Sequence, residues 1–511
     1  MNPQPNVIRA AGLLQNLNDS EIEEDNSTQG MLSSDEDISY QNNEDPEDLF
    51  SQDDDEFIAK QIAEMHRNES SRNENYQSNF ASKNPNFAST SSPIKNNTNT
   101  INDNFSHATD FSHITSYMDD QSIYGFEGKK LLMTDRLKLK CILSENSEIM
   151  CVKIQQHRLF IGLASGIIKT YIPNKQNPSG LSCNYIFEDA DTYKNTVTSI
   201  TFCYLNKSEE PLLVASYVNG MIKFWHVSGQ QCLSTIAESN SEALVCMISN
   251  NNRFLYTAGD RKVQSSASKA EDDIDKQPSY TINKYDVETR KLISTFGKTE
   301  NNDLMDGHVR RIYSLKSTPV LNNIFISAGW DDTIQFWDDR IGNHSIRKIT
   351  GPHVCSDDGL DICSDGSEIL AASWRRVDNL QSFDFASGKI IKNYQLTGNY
   401  NPYNSYSCKY LESDSNLSSQ ATSQVALGTS TSNNLVIFDK NSIETPKGEM
   451  PSEMVTDLPG GVFGFDSTML SNIPGTRKSD QGTRLFAVGS GENVYLFHQK
   501  TNLIQRGVND E

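Results

Sequence analysis

The chain lacks what a membrane protein, a disulfide-framed secreted domain or a polyanion binder needs. Across 511 residues no apolar run approaches the ~20 residues required to span a bilayer. The opening stretch, Met1 to Asp19, holds one base and no apolar core followed by a small-residue cleavage site, so no secretory leader is expected. The nine cysteines include no Cys-x-x-Cys pair. Cys151, Cys203, Cys246 and Cys363 sit in apolar runs, where a reduced thiol packs as a small hydrophobe. The expected compartment is cytoplasmic or nuclear.

A basic surplus is also missing. Lys and Arg number 45 against 67 Asp and Glu, a net charge of −22. Residues 1–60 carry sixteen acids and two bases, residues 61–130 eight acids and six bases, which leaves −6 for the other 381 residues. Direct binding to nucleic acid or an anionic membrane needs the opposite balance, so neither partner is expected. Enzyme signatures are absent as well: no Gly-x-Ser-x-Gly elbow, phosphate-cradling GxxxxGK[ST], HExxH or Cys/His metal spacing. No catalytic residue, cofactor or metal is assigned.

What is present falls into two textures. Residues 1–130 are rich in Asn, Ser, Asp and Glu and poor in apolar groups, which predicts a disordered acidic tail. Short helices are expected at 6–18 (Val7, Ile8, Ala11, Leu14, Leu17) and 54–66 (Phe57, Ile58, Ile62, Met65). Ser33, Ser34 and Ser51 precede acids as acidophilic kinases require, and Ser92-Pro93 suits a proline-directed kinase.

From residue 136 to 499 short apolar runs recur between Gly, Asn, Asp and Ser clusters, the mark of many short strands. A repeated unit is visible in LFIGLASGIIKTYI (159–172), LLVASYVNGMIKFWHV (212–227), IFISAGWDDTIQFWD (324–338), ILAASWRRVDNLQSFD (369–384), VALGTSTSNNLVIFD (425–439) and LFAVGSGENVYLFH (485–498). A seventh copy is split between 254–260 and 280–286. Seven copies over 364 residues give a mean of 52, a four-stranded blade with loop insertions.

These units resemble WD40 repeats, best in the copy from Gly307-His308 to Trp337-Asp338. The resemblance implies an all-β, seven-bladed propeller, with His308, Ser327, Asp331 and Trp337 as a structural hydrogen-bond tetrad. Other copies carry Tyr171, Trp225, Tyr285, Phe383, Phe438 or Phe497 at the Trp position, and apolar packing is expected to hold those blades. The unpaired alternating segment Leu137–Cys141 is expected to close the ring as the outer strand of the last blade, with 500–511 left as a C-terminal tail.

The implied function is a non-catalytic protein-interaction scaffold, a member of a multiprotein complex. One rim gathers Arg261, Lys262, Arg310, Arg311, Trp330, Trp374, Arg375 and Arg376, a basic arc suited to acidic or phosphorylated segments. Trp337-Asp338-Asp339-Arg340 also resembles the Trp-Asp-x-Arg pattern of cullin–RING ubiquitin-ligase substrate receptors, which would make Arg340 an adaptor contact. A propeller hydrolase is the remote third reading. The acidic tail is itself a candidate ligand for the arc. Removing residues 1–130 is then expected to raise partner affinity and change its salt dependence; a salt titration showing neither would end that reading.

Overall fold

In the computed structural model the described residues are 131–134, 136–174, 176–177, 180–205, 210–261, 280–297, 307–375, 377–395, 404–411, 424–430, 432–441, 451–470 and 482–501. The tail readings for 1–130, including both helices and the four serines, lie outside them, as does nearly all of the C-terminal tail.

Among the described residues the strands begin with β1 (Leu132–Met133) and β2 (Leu137–Ser144). Six four-strand groups follow in order: β3 (Ile149–Gln155), β4 (Arg158–Leu163), β5 (Ile168–Pro173) and β6 (Leu181–Phe187); β7 (Val197–Cys203), β8 (Leu212–Tyr217), β9 (Met221–His226) and β10 (Gln231–Ala237); β11 (Ser241–Ile248), β12 (Phe254–Arg261), β13 (Ile282–Asp286) and β14 (Leu292–Phe296). Next come β15 (Ile312–Ser317), β16 (Ile324–Gly329), β17 (Thr333–Asp338) and β18 (Arg347–Thr350); β19 (Leu360–Ile362), β20 (Glu368–Ala372), β21 (Leu380–Asp384) and β22 (Ile390–Asn393); β23 (Ser405–Leu411), β24 (Gln424–Thr429), β25 (Leu435–Asp439) and β26 (Glu453–Thr456). The last three are β27 (Phe465–Met469), β28 (Thr483–Ser490) and β29 (Asn493–Lys500).

Each group is one antiparallel sheet, and β27, β28 and β29 take β2 as their fourth strand. Seven blades result. Their first strands touch in the cyclic order β3, β7, β11, β15, β19, β23, β27 and back to β3. The fold is an all-β, seven-bladed propeller, as the repeat implied.

The sequence forms this ring because each blade has two faces to bury. The second strands are mostly apolar and buried through their whole length: β8 (LLVASY), β16 (IFISAG) and β24 (QVALGT) are buried at every residue. An alternating strand would leave one face wet; these cannot. Each core cluster accordingly draws on two neighbouring blades. Cys151, Phe160 and Phe187 of the first blade pack with Ile200, Leu213 and Trp225 of the second. Tyr256 and Phe296 of the third pack with Phe325 and Trp337 of the fourth.

Tight turns join the second and third strands. Gly220 sits at φ +86°, and a Cβ there would lie 2.3 Å from the Ser241 carbonyl oxygen, so only glycine fits.

Closure depends on β2. It pairs with β29 from Leu137 against Gln499 to Ser144 against Asn493, running three residues past the segment expected from sequence. The remaining strand is a surprise. β1 adds antiparallel to β26, making the sixth blade five-stranded. Two residues carry no readable period, but Leu131 beside them is buried with Leu411, Ile437 and Val455. Trimming the chain to Arg136 is expected to keep the ring at a cost of about 2–4 kcal/mol for the lost buried leucine. Trimming it to Glu145 removes β2 and is expected to abolish the single cooperative transition, both read by denaturant unfolding.

Candidate functional site

The fourth blade carries a continuous polar chain. Trp337 Nε1 donates to Ser327 Oγ at 2.7 Å, Ser327 Oγ lies 2.6 Å from His308 Nε2, and His308 Nδ1 lies 2.8 Å from Asp331 Oδ2. Indole only donates and a carboxylate only accepts, so the serine hydroxyl donates to Nε2 and Nδ1–H donates to Asp331. Asp331 also accepts from Val309 N and Thr333 Oγ1. Burial opposes its ionisation, but His308 and these donors outweigh that and hold the carboxyl below its ordinary value. All four groups are satisfied inside one blade, with no exposed atom left for chemistry on a substrate.

The expectation that the degenerate blades rely on apolar packing needs correction in two of them. In the first, Tyr171 donates to Glu145 Oε1, and Lys169 Nζ is 2.6 Å from Oε2. In the third, Glu238 Oε1 accepts from Thr257 Oγ1 and, at 3.0 Å, from Tyr285 Oη. A tyrosine hydroxyl reaches farther than an indole N–H and a glutamate replaces the histidine, so a shorter chain does the same work. Phenol-to-carboxylate pairs across a blade leave no local sequence pattern. The second blade is mixed: Ala215 leaves no serine for Trp225, which packs edge-on against Phe187, while the buried Lys223 Nζ pairs with Asp189 at 2.7 Å.

The predicted rim lies where the turn between second and third strands meets the loop entering the first. Trp330 N donates to the Arg311 carbonyl, which ties turn to loop. Arg310 is exposed. Arg311 is half-buried, its guanidinium 4.1 Å above the Tyr313 ring and bonded to the Ala243 carbonyl. Arg375 pairs with Asp332 at 2.7 Å. Lys262 and Arg376 are outside the described residues, and only the backbone of Arg261 is described. The arc is therefore partly occupied by its own fold.

The rim has an aromatic component of which the sequence reading singled out only Trp330 and Trp374. Trp330 lies between Tyr313, 5.4 Å away, and His353, stacked at 5.7 Å and 22°. Trp374 contacts Tyr406 at 4.6 Å, and Tyr406 contacts Phe463 at 4.9 Å. All six rings are partly exposed. The available signal for His353 was Gly351-Pro352-His353, which repeats Gly307-His308 with one proline inserted. Its blade has Ala371 and Phe383 facing where Ser and Trp would stand, so the imidazole has no staple to join. It turns instead to Asp332 Oδ1 at 2.6 Å. Burial of Asp332 is outweighed by His353 and Arg375, and its carboxyl is held below the ordinary value.

Arg340 lies at the other end of β17. Its Nε and Nη2 both donate to Asp338, at 2.9 and 2.6 Å, while the side chain stays 61% exposed.

The central channel offers a cavity of about 260 Å³ lined by Lys153, Gln155, Thr201, Met247, Lys316 and Asp357 among others. Ligand sites usually exceed roughly 300 Å³, and this one's charges are spoken for. Lys153 and Lys316 both pair with Asp358, and Lys409 pairs with Asp466. Burial opposes ionisation of Asp357 and Asp358 alike; the lysines overcome it at Asp358, while at Asp357, bonded by Ser199, burial wins. Burial pushes the Cys246 thiol up to about 12 and the Cys363 thiol up to about 11, away from the nucleophilic thiolate form. Among the described residues no three His, Cys, Asp or Glu gather as metal ligands.

Comparison with known proteins agrees with the geometry. The family model for the WD domain, G-beta repeat, matches residues 300–338, the copy that holds the complete polar chain. A guanine nucleotide-binding protein subunit beta from Oryza sativa subsp. indica is 33% identical over 67 residues, 13% of this chain. The match spans 17% of that relative's length.

Replacing Ser327 by Ala strands the Trp337 N–H and the His308 acceptor, and is expected to cost about 2–3 kcal/mol in chemical unfolding. Asp331 has its folded pKa below the ordinary 3.8. Its contribution is therefore complete above that value and is lost as pH falls through the lower folded one. Asp331→Asn is expected to flatten that part of the acid-unfolding curve.

Proposed function

We propose that this chain, a WD40-repeat propeller, is a non-catalytic protein-interaction scaffold that holds a partner segment on the rim around Trp330. Support comes from the surface itself: partly exposed Tyr313, Trp330, His353, Trp374, Tyr406 and Phe463 form two aromatic groups on neighbouring blades, with Arg310 exposed in the loop entering the fourth blade. Interfaces take their affinity from a few aromatic and arginine anchors within a surround that excludes water. An extended segment with an apolar side chain for the aromatic wall and acids for Arg310 fits this surface. The His308–Asp331 pair is committed to the polar chain of the fourth blade, which favours binding over catalysis.

The ligase-receptor reading rests on Arg340. Its guanidinium is exposed, yet both available Asp338 oxygens already engage it. An adaptor would have to share or displace that pairing, so the rim around Trp330 is the better-supported surface. The WD40 fold leaves partner identity open because blade cores and rims vary independently.

Capturing partners with the full chain, a Trp330→Ala/Arg310→Glu variant and an Arg340→Ala variant separates these readings. Loss of an aromatic anchor with its arginine is worth at least about 2 kcal/mol, roughly thirtyfold in affinity. Partner recovery should fall by that order in the first variant at unchanged thermal stability, and hold in the second. Loss confined to Arg340→Ala, with a ligase adaptor among the proteins lost, would transfer the function to the opposite rim.

A further inference from the structure

The contact between Asp332, His353 and Arg375 joins the turns of two neighbouring blades on the proposed binding rim. Its geometry is that of a bound anion. The two carboxylate oxygens are divided between two donors: Oδ1 lies 2.6 Å from His353 Nδ1 and Oδ2 lies 2.7 Å from Arg375 Nη2. The His353 ring is flanked by Trp330. None of the three side chains is enclosed: Asp332 is 37%, Arg375 34% and His353 24% exposed.

The backbones of both donor residues are held without help from that carboxylate, and the imidazole is also stacked on Trp330. His353 N donates to Ser373 Oγ, and the His353 carbonyl accepts from Trp374 N at 2.8 Å. The Arg375 carbonyl accepts from Asn379 Nδ2. Asp332 is likewise fixed by its main chain, its carbonyl accepting from Gly351 N at 2.8 Å. It occupies the left-handed region at φ +58°, a conformation that Asp and Asn tolerate better than most residues. The carboxylate can therefore leave without breaking the main-chain bonds that place the two donor residues. Arg310 is exposed in the loop entering the fourth blade, and no carboxylate among the described residues pairs with it.

We infer that His353 and Arg375 form an anion seat which Asp332 fills in the free chain, and from which a phosphate-bearing segment of a protein partner displaces it. The inference rests on the rim reading above and adds the chemistry recognised there. A partner carboxylate has little to gain, because Asp332 offers the same group at the high local concentration of an attached ligand. A phosphoryl group brings nearly two charges and three acceptor oxygens. It can satisfy His353 and the Arg375 fork together and leave charge for Arg310. Asp332 thus acts as a threshold that excludes merely acidic segments.

The test uses the purified full chain and calorimetric titration, with no cellular partner required. Probes are inorganic phosphate, an acidic hexapeptide bearing one phosphoserine, and its unphosphorylated twin. Asp332→Asn keeps the left-handed turn, and Asp332→Gly is the second variant should the first fold poorly. Both are expected to bind inorganic phosphate at least tenfold more tightly than the parent chain, and Arg375→Ala added to either should erase the gain. The phosphopeptide should bind the parent chain at least tenfold more tightly than its twin and more tightly than inorganic phosphate. No gain in either Asp332 variant, or a gain that survives loss of Arg375, overturns the seat. Equal affinity for phosphopeptide and twin, or for phosphopeptide and free phosphate, overturns the phosphorylated partner. Either failure leaves the Trp330 partner-capture result standing, so the two proposals fail separately.

Discussion

A short sheet with two apolar faces has to find two neighbours, and everything else in this molecule follows from that. Second strands such as β8, β16 and β24 have no wet side, so each blade is unstable alone and each interface is shared. Seven shared cores close on themselves only when the last blade is completed by residues from the beginning of the chain. Local hydrogen bonding builds the blades, but the ring is a single long-range bargain between Leu137–Ser144 and Asn493–Lys500. The pairing of β1 with the sixth blade extends the same logic, since Leu131 fills apolar space between the sixth and seventh blades.

Buried polar groups in such a ring call for partners, and a blade can supply them itself. The fourth blade does so with Trp337, Ser327, His308 and Asp331. The first and third reach the same end by pairing a tyrosine hydroxyl with Glu145 or Glu238. What is kept is a donor on the third strand and an acceptor before the first. In the fifth blade Ala371 and Phe383 remove the need for the histidine, and His353 becomes available to the rim. A residue released from a structural duty in one blade thereby acquires a position beside Trp330 and Asp332.

The rim also shows why a count of charges is a poor map of a binding surface. Arg311 lies over Tyr313 and Arg375 is taken by Asp332, so two apparent surface cations are already engaged by the fold. The aromatic rings supply most of the distinctive character there. The channel beneath behaves in the same way: Lys153, Lys316 and Lys409 meet Asp358 and Asp466, and the cluster serves to join blades across the axis.

The sequence by itself determined the propeller, the blade number and the closing strand. Those depend on apolar periodicity, turn residues and a recurring spacing, all of which are local and survive as text. It also singled out His308, Ser327, Asp331 and Trp337, which stand at the landmarks of one complete repeat. Tertiary structure alone decided which rim charges are free, that Glu145 and Glu238 anchor tyrosines, and that His353 meets Asp332. These contacts join residues 21 to 47 positions apart, across a turn, a blade or the gap between two blades. Their partners are set by how neighbouring sheets twist against one another, and a side chain's partner across such a gap has no counterpart in the order of residues along the chain.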